Sequence, residues 1–104
     1  MKSITVQELK SWRDSGHAHQ LIDIREDHEI DIVYIDGERI RMAEVLGNID
    51  KIKRDVDVVV HCRSGARSGA VVQALDREGF SNVHNLIGGI LAWVEQIDQS
   101  LQAY

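Results

Sequence analysis

Cys62, the one cysteine in the chain, heads the run Cys62-Arg63-Ser64-Gly65-Ala66-Arg67-Ser68. A cysteine reacts as the thiolate, so its surroundings decide whether it is a nucleophile or a small buried hydrophobe. Here Arg63 and Arg67 bring positive charge, and the good helix formers that follow bring first-turn amides to the sulfur. Gly65 lets the loop curl so that successive N–H groups point inward as an anion-binding nest. Ser68 reads as the N-cap of the next helix, its hydroxyl facing the thiolate. The candidate nucleophile is Cys62, with Arg63, Ser64, Gly65, Ala66, Arg67 and Ser68 as its binding loop. The arginines would orient a small anionic donor, Arg67 foremost.

The elements that must hold this loop are legible on either side of it. Val56 to His61 is the strongest strand by β-branched content, and the helix after the loop reads as Ser68 to Glu78, closed by Gly79 with Phe80 packing back. Upstream, Thr5 and Glu8 form a capping box that opens an amphipathic helix over 6–15, ended by Gly16. Leu21 to Ile24 reads as a buried strand carrying Asp23. Arg25 to Glu29 opens a short helix with Ile30 and Val33 inward. Asp36-Gly37 marks a turn, with helical pieces at 42–46 and 49–52. Val83 to Ile87 reads as the last strand, Gly88-Gly89 as a tight turn, and Ile90 to Leu101 as the last helix. Strands alternating with helices argue an α/β fold with a mainly parallel sheet.

In such a sheet, ligands sit beyond the carboxyl ends of the strands. Cys62 follows one strand at that end; Asp23 and Arg25 lie at the matching end of another. Asp23 is expected to pair with a loop arginine, Arg25 to line the rim, and Glu29 to brace an arginine. His61 adjoins Cys62 but must face the opposite side of its strand, which assigns it to packing. Trp12 and Trp93 read as core aromatics.

With 104 residues the expectation is a single domain over 1–104. The net charge of −5 argues against nucleic-acid and membrane-surface partners. No apolar stretch reaches the roughly 18 residues of a membrane span, and a free thiol with no signal-like N-terminus points to the cytoplasm; the oligomeric state is not set by the sequence, with a monomer the expectation. The five histidines do not fall at metal-ligand spacing, so no metal and no cofactor is expected.

Three motifs together resemble the rhodanese (thiosulfate sulfurtransferase) family over nearly the whole chain. Leu21-Ile22-Asp23-Ile24-Arg25-Glu26 is similar to its "IDVRE" strand. The Cys62 loop resembles its C-x-x-G-x-R-S active-site pattern, and Leu86 to Trp93 its "L-x-G-G-x-x-x-W" signature. The resemblance implies a rhodanese-like three-layer fold, with a mainly parallel five-stranded sheet flanked by helices. It also implies a sulfurtransferase in which Cys62 takes a sulfane sulfur from thiosulfate or another persulfide donor. The Cys62 persulfide then passes the sulfur to cyanide, an external thiol or a sulfur-acceptor protein. One stretch departs from the family. Val33 to Arg41 replaces the usual G-H-I-P-G-A-x-x-I-P segment and is one residue shorter, without its prolines or histidine. Asp36-Gly37 through Val45 resembles modules attached to enzymes that adenylate ubiquitin-like sulfur carriers.

Two rivals remain. Cysteine phosphatases place one residue more between Cys and Arg than the four here, and the tighter bowl suits a sulfur better than a phosphoryl group. A sulfur-carrier or redox-sensing binding module would use the same thiol; with no second cysteine, any oxidised or persulfidated Cys62 must be discharged from outside.

Overall fold

Val58, Val59 and Val60 are all buried, as the centre of a sheet covered on both faces requires. The computed structural model describes residues 1–104. Its strands are β1 (Lys2–Ile4), β2 (His19–Asp23), β3 (Glu38–Arg39), β4 (Asp57–His61) and β5 (Val83–Leu86). Its helices are α1 (Val6–Ser15), α2 (Asp27–Ile30), α3 (Ala66–Arg77) and α4 (Gly89–Gln96), with 3-10 turns at Met42–Glu44 and Leu46–Lys51. The five strands form one sheet in the order β1-β5-β4-β2-β3, every pair parallel.

Alternation along the strands sorts the core into two layers. Ile22, Val58, Val60 and Val83 pack with Val71, Val72 and Leu75 of α3 and with Phe80. Leu21, Val59 and Leu86 pack on the other face, with Val6 and Leu9 of α1 and Ile90, Trp93 and Val94 of α4. Cys62 continues the Val58–Val60 series and lies on the α3 side. The three-layer α/β fold is therefore observed.

The helix boundaries differ where local chemistry overrides the pattern. The Thr5–Glu8 capping box opens α1 as expected, and Gly16 closes it at φ 72°. α3, however, starts at Ala66 with Gly65 as its N-cap at φ 106°, so Ser68 lies inside the first turn and is not the cap. α4 stops at Gln96, not Leu101, because the Asp98 carboxylate accepts from the Ser100 amide and hydroxyl and draws the chain into a turn. That turn brings the chain end back towards the Cys62 loop. β1 and β3 were not read from the sequence. β1 has one buried residue, and β3 is two exposed residues, so neither carries a hydrophobic period.

Candidate active site

The Cys62 loop is built by three elements. β4 delivers Cys62 at its carboxyl end, α3 starts from Gly65, and the first turn of α4 grips the loop's backbone. Ile90 N–H donates to the Cys62 carbonyl at 3.0 Å and Leu91 N–H to the Arg63 carbonyl at 3.1 Å. A Cβ on Gly89 would stand 2.5 Å from the Arg63 oxygen and 2.7 Å from the Cys62 oxygen. Gly89 thus permits this approach: the Gly88-Gly89 turn is a clamp on the reactive loop.

The Cys62 side chain is 1% exposed. Its Sγ accepts from Gly65 N–H at 3.2 Å and Ser68 N–H at 3.4 Å, and the Ser68 hydroxyl lies 3.3 Å away. Burial pushes the thiol's pKa up. The Ser68 hydroxyl, in the orientation that turns its proton to the sulfur, and the amides of Ser68, Gly65 and Ser64 outweigh it, so the thiol sits below its ordinary value. The Gly65 and Ser68 N–H groups are the donors fixed on the sulfur by the backbone.

The arginines are engaged elsewhere. Arg63 is exposed; it donates through Nε to the Tyr104 main-chain oxygen at 2.8 Å and stacks over the Tyr104 ring. Arg67 makes a bidentate pair with Glu29, Nη1 to Oε2 at 2.9 Å and Nη2 to Oε1 at 2.8 Å. Arg67 holds the Glu29 carboxyl down at about 2, helped by the Glu26 backbone amide and the Tyr104 hydroxyl against a smaller opposing effect of burial. The same pairing raises Arg67.

Asp23 does not pair with a loop arginine. It holds Arg25, with Oδ1 accepting from Nε at 3.0 Å and Oδ2 from Nη2 at 2.8 Å. Both side chains are fully buried, so Arg25 lies beneath the rim and does not line it. The reason is the nearness of the Arg25 guanidinium, which occupies both Asp23 oxygens and is itself held by the Val33 carbonyl and the Tyr104 hydroxyl. Asp23, Arg25, Tyr104, Glu29 and Arg67 form one connected network, with the Tyr104 hydroxyl donating to Glu29 at 2.8 Å.

His61 is fully buried on the face opposite the thiol. Its Nδ1 donates to the Cys62 carbonyl at 3.4 Å. Its Nε2 has no hydrogen-bond partner and stands 3.5 Å from Asp23 Oδ2. Burial lowers its pKa despite the nearby carboxylate.

Ser64 and Ala66 are exposed at the loop surface, and Ser68 is wholly buried beneath it. Two polar residues at the site went unread in the sequence. Tyr104 carries no local signal, since its partners lie 75 and 79 positions away. Asn85, which bonds both Ser68 and Gly65, did leave a trace: asparagine is depleted from strands, and it interrupts β5 on the α3 face.

Residues 5–96 match the sequence model of a family described as rhodanese-like domain. The chain is 36% identical over 105 residues to the probable adenylyltransferase/sulfurtransferase MoeZ of Mycobacterium tuberculosis; the match covers 98% of this chain but 27% of that protein. It is 36% identical over 94 residues to the putative sulfurtransferase YtwF of Bacillus subtilis, covering 89% and 90% of the two chains. A rhodanese-like domain protein of Staphylococcus aureus superposes with a TM-score of 0.84 at 31% identity, over 100% of this chain and 99% of that one.

Proposed function

The chain belongs to the rhodanese-like domain family, and on that premise we propose that it is a sulfurtransferase working through a Cys62 persulfide. The supporting observation is the Cys62 sulfur at the focus of the Gly65 and Ser68 amides, where a sulfur anion is stabilised without a metal or a base. The Cys62 thiolate attacks the outer sulfur of thiosulfate. The S–S bond of the donor breaks, sulfite leaves with the bonding pair, and Cys62–S–S⁻ remains. An external thiolate or cyanide then attacks the terminal sulfur and leaves as a persulfide or thiocyanate, and the Cys62 thiolate is regenerated. Both steps are displacements at sulfur, which makes the cycle a ping-pong one.

On this reading the persulfide's terminal sulfur is reached from the side of Ser64 and Ala66, the exposed residues of the loop. Arg67, held by Glu29 with its charge felt at Cys62, is the arginine that would meet an anionic donor; Arg63 would have to leave Tyr104 to take part. We assign the acceptor to an outside thiol or protein, because Cys62 has no second cysteine in the chain to resolve it. Steady-state thiocyanate formation from thiosulfate and cyanide tests the reading. Parallel double-reciprocal lines for the wild type and no turnover for Cys62→Ser are expected; turnover retained by Cys62→Ser refutes it.

A further inference from the structure

Ser68 has one hydroxyl proton and two claimants for it. Its Oγ lies 3.3 Å from Cys62 Sγ and 2.5 Å from Asn85 Oδ1. The Asn85 amide is not free to turn over, because its Nδ2 donates to the Gly65 carbonyl at 3.2 Å. A flipped amide would set two oxygens against each other at Gly65. Oδ1 therefore faces Ser68 as an acceptor, and the short contact makes the Ser68 hydroxyl its donor. In that arrangement Ser68 can accept from a Cys62 S–H but has nothing to give a Cys62 thiolate. For the hydroxyl to serve the thiolate it must leave Asn85 Oδ1 unpaired in a buried site, since Ser68 is 0% and Asn85 9% exposed.

We propose that Asn85 is a positioning residue that restrains ionisation of Cys62 by holding the Ser68 hydroxyl proton away from the sulfur. This deepens the sulfur-transfer reading and rests on Cys62 being the reacting thiol. On ionisation the Cys62 proton passes to solvent, and the sulfur keeps the two amide donors as its constant support. The restraint has a kinetic use. A thiolate of higher pKa is the stronger nucleophile, with rate rising about threefold per unit of thiol pKa while that pKa stays below the ambient pH, so Asn85 trades thiolate population for reactivity in the charging step.

The other charged and titratable groups around the site are Arg67 from α3 with its partner Glu29 from α2, Asp23 and Arg25 at the end of β2, His61 on β4, Arg63 in the loop and Tyr104. All of them stay in every variant compared below.

The test is the pH dependence of iodoacetamide alkylation of the reduced, sulfur-free protein, which reads Cys62 without requiring sulfur transfer. Asn85→Ala releases the Ser68 proton, and the midpoint falls by about one pH unit, the scale of one hydrogen bond to a charged group. Asn85→Leu keeps the volume, removes the acceptor, and gives the same shift if Asn85→Ala loosens the loop. In a Ser68→Ala background the shift disappears. A midpoint that stays or rises in both Asn85 variants overturns the proposal. So does an equal fall with and without Ser68, which would mean that Asn85 acts through the Gly65 carbonyl instead. Alkylation that behaves as expected beside a failed thiocyanate assay would leave this inference standing and remove the sulfur-transfer reading.

Discussion

Replacing Glu29 by glutamine removes the charge that holds Arg67, and the structure fixes how the loss must vary with pH. Glu29 is 6% exposed, accepts two Arg67 N–H bonds, the Glu26 amide and the Tyr104 hydroxyl, and has its pKa lowered from 4.5 to about 2. A carboxyl depressed in the folded state contributes stability that is fully present above its unfolded value and is lost as pH falls through the folded value. The full linkage would be about 3 kcal/mol; with the Arg67 side chain a third open to solvent, screening brings it to about 2 kcal/mol. Urea unfolding of the wild type and Glu29→Gln across pH 2–7 measures it. The wild type should be the more stable by about 2 kcal/mol at pH 7, and the gap should narrow between about pH 4.5 and pH 2, at most about 1.4 kcal/mol per pH unit. Other carboxylates cancel in the difference. Curves that stay parallel down to pH 2 would refute the claim that the pair is an ionic anchor of the Cys62 loop.

Further outcomes follow from other contacts. Gly89→Ala should displace the loop, since the added Cβ meets the Arg63 and Cys62 carbonyls; a fall in thiocyanate turnover of at least about tenfold with the fold retained by circular dichroism is expected, and unchanged turnover would remove the clamp. Asp23→Ala should cost about 3–5 kcal/mol in urea unfolding, because it strands the buried Arg25 guanidinium, whereas the Asp23→Leu, Arg25→Met pair should cost much less. Leu75→Ala, at a fully buried position between α3 and the sheet, should cost about 2–5 kcal/mol. Arg67→Ala should lower kcat/KM for thiosulfate more than for an uncharged organic persulfide; an equal loss would mean that Arg67 shapes the loop and does not bind the anion.

The sequence displays what depends on near neighbours. The Thr5–Glu8 box, the β-branched run at Val58–Val60 and the glycines that end α1 and follow α3 each act within a few residues, and each was found where it was read. The Cys62 loop was legible because its chemistry is also local: a strand end, a glycine and a helix start in sequence. Helix starts were less certain. Ser68 looks like an N-cap by composition, but its hydroxyl is turned down to Cys62 and Asn85, and the left-handed Gly65 caps α3 instead. Ion pairing was legible only in part: the expected bracing of an arginine by Glu29 is observed in its pair with Arg67, whereas the partner of Asp23 depends on which side chains converge after folding. Asp23 pairs with Arg25, Arg67 with Glu29, and Arg63 bonds the Tyr104 main-chain oxygen. Tyr104 reaches the network only because the Asp98 turn breaks α4 early, and no pattern of period 2 or 3.6 contains that.

The central claim is that Cys62 carries the sulfur. Its most direct test is the intact mass of the protein after incubation with thiosulfate, recorded without reductant beside Cys62→Ser. A gain of one sulfur atom in the wild type, absent from Cys62→Ser and lost on adding cyanide, is the predicted result. An unchanged mass with thiosulfate and with organic persulfides alike would contradict the account.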